Sequence, residues 1–237
     1  MLGHLKRGWY GRPMSDLTKL SAIELSRTIA SGDASCVEVM EAFLEKIETL
    51  NPHVNALVNL IPHDECLKLA MEADAAPRID AGPAWLRGIP VAVKDLSRAK
   101  GLATTCGSPL FQDEIATDDD PHVAHLRAAG AIIIGKTNVP EWGLGGHTDN
   151  PVFGLTRNAL DTELSAGGSS GGAASALSSG MLSIADGSDM MGSLRTPAAF
   201  QGLVGFRPTP GVVPLAPEMD PMGLGLVSIG PMARNVA

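Results

Sequence analysis

Apolar and polar positions divide the chain into an amphipathic front and a more uniformly apolar middle. Ser21-Ala-Ile-Glu24 and Ser35-Cys-Val-Glu38 each carry a serine followed three places later by a glutamate, ahead of an apolar run. That spacing predicts two capping boxes and two helix starts. Val37, Met40, Phe43, Leu44 and Ile47 recur at helical spacing, which predicts a second helix ending before Asn51-Pro52. A third helix is expected over 64–75, and all three read as outer-layer helices with one greasy face.

From residue 86 the texture changes. Gly88-Ile-Pro-Val-Ala-Val-Lys94 and Ala131-Ile-Ile-Ile134 are short apolar runs typical of buried strands, with a helix expected over 121–130 between them. The glycine- and serine-rich stretch 166–172 reads as a loop, 173–179 as a closely packed helix, and 181–230 as short strands and turns. Strands alternating with helices predict an α/β fold, with a mixed β-sheet core covered by helices on both faces. No repeat, low-complexity tract or linker interrupts it, so residues 15–237 read as one domain. Residues 1–14 read as an N-terminal arm or a leftover of expression, with Met14 an alternative start. The chain halts after Arg234-Asn-Val-Ala237 without the look of a natural end.

Composition narrows the function classes. The net charge of −8 disfavours a nucleic-acid backbone or an anionic membrane surface as the main partner. No run is long and apolar enough to span a bilayer. The three cysteines, Cys36, Cys66 and Cys106, are widely spaced, fit no zinc motif or disulfide framework, and point to a cytoplasmic, reducing setting. Cys106 reads as a small buried residue rather than a reactive thiol. The six histidines show no metal spacing.

Two familiar motifs match only in letters. Gly130-Ala-Ile-Ile-Ile-Gly-Lys136-Thr137 fits the phosphate-loop pattern, but three isoleucines stand where a flexible loop is required and Asn138-Val-Pro140 opposes a helix start. Gly167-Gly-Ser169-Ser-Gly171 fits the nucleophile elbow, yet no strand precedes it and the last histidine, His147, lies upstream of the serine.

A third constellation draws on separate segments that agree. Lys94-Asp95 ends the first apolar run, Gly167-Gly-Ser-Ser-Gly-Gly172 supplies one serine loop, and Asp186-Gly-Ser-Asp-Met-Met-Gly-Ser193-Leu-Arg195 supplies another, 24 residues on from Ser169. With Gly135-Lys-Thr-Asn-Val-Pro-Glu141 and Gly202-Leu-Val-Gly-Phe-Arg-Pro-Thr209, the chain resembles the amidase-signature family from about Leu17 to Arg234. The resemblance implies the front portion of such a fold, truncated at its C-terminus. It also implies a Ser–Ser–Lys set: Ser193 as nucleophile, Ser169 as a bridging serine with a cis peptide bond, and Lys94 as ultimate base.

The chemistry demands a neutral lysine. A serine hydroxyl is a weak nucleophile until a base takes its proton. Lysine ordinarily titrates near about 10.4, so bringing it near 7 requires roughly 4 kcal/mol of bias against the ammonium. A sealed, apolar strand end can supply that by desolvation, and strand alternation is expected to turn Asp95 away.

The resemblance further implies an oxyanion hole from the backbone amides of Met190, Met191, Gly192 and Ser193. Gly143 would line the acyl site through its backbone. Met191 stands where the family pattern has glycine, so a left-handed backbone there would be strained. The expectation is that Met190 and Met191 pack inward and the hole survives. Ser170, Asp189 and Arg195 are expected to support the site, the last two by shaping the loop.

The expected activity is hydrolysis of a small-molecule linear amide to an acid plus ammonia or amine, with no cofactor or metal implied. The alternative is an inactive or partner-dependent fragment, such as the amidase component of an amidotransferase. The expected partner is then a second copy, forming a homodimer, or a complementing C-terminal segment.

Overall fold

The computed structural model describes residues 14–76, 85–216 and 225–236. Of the expected N-terminal arm, only Met14 falls within them; it opens a 3₁₀ turn, Met14–Lys19.

Helices α1 (Ala22–Ser31) and α2 (Cys36–Val54) both open with complete capping boxes: Ser21 with Glu24, and Ser35 with Glu38. Each serine side chain accepts an otherwise orphaned backbone N–H while the glutamate returns to the cap amide. The α2 end differs from expectation. The helix runs through Pro52 and stops at Asn55, a left-handed cap whose N–H donates to Asn51 O. So close to the end, proline forfeits a single helical bond, and the ordered cap carries the last turn.

After the short strand β1 (Leu57–Val58) comes α3 (His63–Ala75), whose Asp74 accepts the Cys36 and Val37 amides at 2.8 and 3.2 Å and so ties it to the start of α2. Val39, Met40, Phe43 and Ile47 face the core from α2.

The apolar middle forms the buried strands β2 (Pro90–Lys94) and β3 (Ile132–Thr137), parallel from Pro90 with Ile132 to Lys94 with Thr137 with a register shift after Val91 that skips Ile134, and joined through α4 (Pro121–Ala128). β1 pairs antiparallel on the other side of β3. Lys136 therefore sits inside a strand, fully buried, and the phosphate-loop spelling is coincidental. Next comes α5 (Gly171–Ser178), buried almost throughout; a methyl group on Gly172 would collide with the Asn138 backbone, so only glycine lets this helix approach β3.

Residues 181–230 hold more than strands and turns. β4 (Ile184–Asp189) pairs with β6 (Ser228–Ala233), which pairs in turn with β5 (Val204–Gly205), all antiparallel. Between β4 and β5 lies an unexpected short helix, α6 (Arg195–Phe200). Pro197 argues against a helix in sequence, but it occupies the first turn, where a missing N–H costs no helical bond.

The α/β expectation holds, with the sheet in two three-stranded pieces. β2 and β4 are joined by a side chain rather than a ladder: the Lys94 N–H donates to Asp186 Oδ1 at 2.8 Å.

Candidate active site

Three segments distant in sequence meet at the end of β2. Lys94 is the last residue of that strand, and none of its surface reaches solvent. Its Nζ lies 2.8 Å from Ser169 Oγ, 2.8 Å from Ser170 Oγ, 2.9 Å from Ser188 Oγ and 3.3 Å from Ser188 O. Among the described residues no carboxylate touches it. Burial pushes the amine down to about 7, against the opposing pull of Asp186 and Asp189. Hydroxyls suit such a group because they serve it whether it is charged or neutral.

Ser169 follows Gly168 through a cis peptide bond, in the turn leading into α5. Gly143 borders it, since a methyl group there would lie 3.6 Å from Ser169 Oγ and would clash with Leu96.

Ser193 stands before α6, half-buried, in the wall of an open cavity of about 730 Å3 that Ser169 and Gly143 also line. Its carbonyl accepts the Ser170 N–H at 3.3 Å. Among the described residues no hydrogen bond joins its hydroxyl to Ser169. The rest of the cavity is largely apolar, including Leu96, Leu144 and the edge-to-face pair Phe111 and Trp142.

Asp189 organises the loop between β4 and α6. Its buried carboxylate accepts the Gly192 N–H at 2.7 Å, the Leu194 N–H at 3.2 Å and two bonds from the Arg195 guanidinium at 2.8 and 3.0 Å. Arg207 adds a cation 3.5 Å away. Burial alone would raise the acid, but these donors hold it at about 2.

Two corrections concern this loop. The Gly192 amide, expected in the oxyanion hole, is spent on Asp189, whereas those of Met190, Met191 and Ser193 have no partner among the described residues. The methionines do not pack inward: Met190 is 47% and Met191 87% exposed, both at the cavity. The left-handed backbone falls on Gly192 (φ 118°) and not on Met191, so the methionine escapes the feared strain.

Asp95 turns away from Lys94 as alternation predicted: it accepts from Thr105 and lies 3.8 Å from Lys136. Cys106 is only partly buried, at the cavity wall, and burial raises its thiol to about 11.

Residues 38–237 match the Amidase family. The chain belongs to the amidase family.

Among its relatives is an indoleacetamide hydrolase of Bradyrhizobium diazoefficiens, 41% identical over 95% of this chain and 44% of the relative. A glutamyl-tRNA(Gln) amidotransferase subunit from Carboxydothermus hydrogenoformans is 40% identical over 93% of this chain and 45% of the relative. Fatty acid amide hydrolase superposes with a TM-score of 0.85 at 31% identity, covering 94% of this chain and 40% of that one. This amidase chain thus spans less than half the length of these relatives.

Sequence reasoning missed Ser188, Asp186 and His122. The signal for the first two was present, because alternation along Asp186-Gly-Ser188 directs both side chains to the β2 side of β4. Nothing in the sequence pairs His122 with them. Among the described residues, no cluster of His, Cys, Asp and Glu could hold a metal ion, and no helix is long and apolar enough to cross a membrane.

Proposed function

We propose that this chain carries the nucleophile, base and oxyanion amides of an amide hydrolase, cleaving linear carboxamides through a Ser193 acyl-enzyme. The observation that carries the reading is a fully buried lysine, near 7, bonded to Ser169 beside the cavity that holds Ser193. The neutral amine takes the Ser169 proton while Ser169 takes that of Ser193. Ser193 Oγ then bonds to the amide carbon, and the displaced electron pair rests on the carbonyl oxygen. The free N–H groups of Met190, Met191 and Ser193 can receive that oxyanion. Collapse expels the amine, which leaves with the proton carried back from Lys94, and water cleaves the ester to release the acid. The Ser193–Ser169 bond must tighten when substrate binds, as catalytic hydrogen bonds commonly do.

The apolar wall of Leu96, Phe111, Trp142 and Leu144 fits an uncharged acyl or amine portion. Residues 15–237 read as one amidase-signature domain, and the three free cysteines fit a cytoplasmic setting.

A second reading rests on the shared length. Relatives are more than twice as long as the matched region, so the chain works in this reading only with a complementing segment, a second copy or an amidotransferase partner. Incubation with simple amides and with a serine-reactive fluorophosphonate tests both. Ammonia release and labelling that vanish in Ser193→Ala support the hydrolase. Labelling without turnover, restored by a complementing polypeptide, supports the second reading. No labelling under either condition rejects both.

A further inference from the structure

Behind the Lys94 site lies a buried acid–imidazole pair that the reaction scheme above does not use. Asp186, on the same side of β4 as Ser188, accepts the Lys94 backbone N–H through Oδ1 at 2.8 Å. Its other oxygen, Oδ2, lies 3.1 Å from His122 Nε2 in α4, and both side chains are almost wholly buried. His122 Nδ1 has no partner among the described residues.

The ring borders a second cavity of about 420 Å3, lined mainly by apolar side chains such as Trp85, Leu126, Val212 and Ile229. That cavity shares no lining residue with the one holding Ser169 and Ser193. His122 thus meets solvent from a different side than the substrate does.

The arrangement poses an electrostatic problem for a lysine base. A negative charge on Asp186 favours the ammonium form of Lys94, the form that cannot accept a proton. An imidazole N–H held against Oδ2 takes up part of that negative charge, as hydrogen bonds to an ionised acceptor do.

We propose that His122, acting through Asp186, is a positioning residue that holds Lys94 in its neutral, proton-accepting form. The role rests on the proposed lysine base. It needs no bond from His122 to Nζ: the carboxylate fixes the strand amide of Lys94, and the ring N–H held against Oδ2 offsets the carboxylate's field.

Other charges nearby are already matched. Lys136, which also feels Asp186, is paired with Asp95. Asp120, at the start of α4, is paired with Arg98, and Asp189 with Arg195 and Arg207. His125, three residues along α4 at the same cavity, has its Nδ1 against Pro121 O. Asp186 alone has His122 as its facing side-chain partner.

His122→Gln keeps a donor for Asp186 but carries no charge at any pH. Asp186→Asn keeps an acceptor for the Lys94 amide and removes the negative charge. In fluorophosphonate labelling of Ser193 followed against pH, we expect the acid limb to move up by roughly half a unit to one unit in H122Q, and down by at least as much in D186N. The double variant should follow D186N, since no carboxylate remains to be offset. If His122 only anchors α4, the H122Q profile superimposes on that of the unaltered chain, and the proposal is wrong. A downward shift in H122Q also overturns it.

Should the unaltered chain fail to label at any pH, the hydrolase reading is what has failed. Titration of the Lys94 ammonium by NMR in the same variants then judges the pair by itself. Equal titration points in all of them reject the coupling, and opposite shifts support it.

Discussion

Two fully buried lysines lie on neighbouring strands of one sheet, Lys94 at the end of β2 and Lys136 on β3, one register position apart. Burial drives both amines away from their charged form, yet they end in opposite situations. Lys136 has a carboxylate, Asp95, at 3.8 Å and a carbonyl acceptor on Ser97, so charge is answered by charge. Lys94 has three hydroxyls and a carbonyl instead. A hydroxyl can donate as well as accept, and it does not oblige the amine to stay positive. Neighbours, rather than burial, thus separate a base from half of an ion pair.

The largest effect should come from Lys94→Met. It removes the base and should slow Ser193 labelling or amide turnover by about 10²- to 10⁴-fold, while leaving a folded protein, because only uncharged hydroxyls lose a partner. Lys136→Met reverses the pattern. A lone buried Asp95 should cost about 3–5 kcal/mol in urea unfolding, with Asp95→Asn in the same chain recovering part of it. Equal stability losses in the two methionine variants would erase the distinction.

Linkage sharpens it further. Lys94 titrates near 7 when folded and near about 10.4 when unfolded, so between those values the unfolded chain holds the extra proton. Stability should therefore rise with pH across that window, by up to about 1.4 kcal/mol per unit from this group, with the full cost of burying the ammonium felt below it. The gap in unfolding free energy between the unaltered chain and Lys94→Met should follow this slope from about pH 7 to about 10, because ionisations common to both chains cancel in it. In either chain alone, the raised thiols of Cys36, Cys66 and Cys106 pull stability the other way once unfolded thiols ionise, above about pH 8.5.

The smallest effect is expected at Met191. Its side chain is exposed and its backbone is not left-handed, so Met191→Gly should alter the labelling rate by no more than about threefold, against the roughly hundredfold expected for a lost oxyanion donor.

Much of this was legible beforehand because it is local. Both capping boxes stand where Ser21 and Ser35 put them, and the two apolar runs became β2 and β3. What failed locally was overruled by context: the cap at Asn55 carried α2 through Pro52, and Pro197 fell in a helical first turn. In the site, Lys94 and the serine loops were recognisable from their motifs. The Gly192 amide, the outward methionines and the acid–imidazole pair were not, since each depends on which group a distant segment brings within 3 Å or so.

Residue order alone dictates where most helices and strands begin, which lysine closes an apolar strand, and which loops carry serines. It is the packing of distant segments that strips Lys94 of water in favour of three hydroxyls and leaves Lys136 a carboxylate. An amine's readiness to give up its proton is set by the dielectric and charges around it, and those arrive from segments as far away as Ser188 and Asp186.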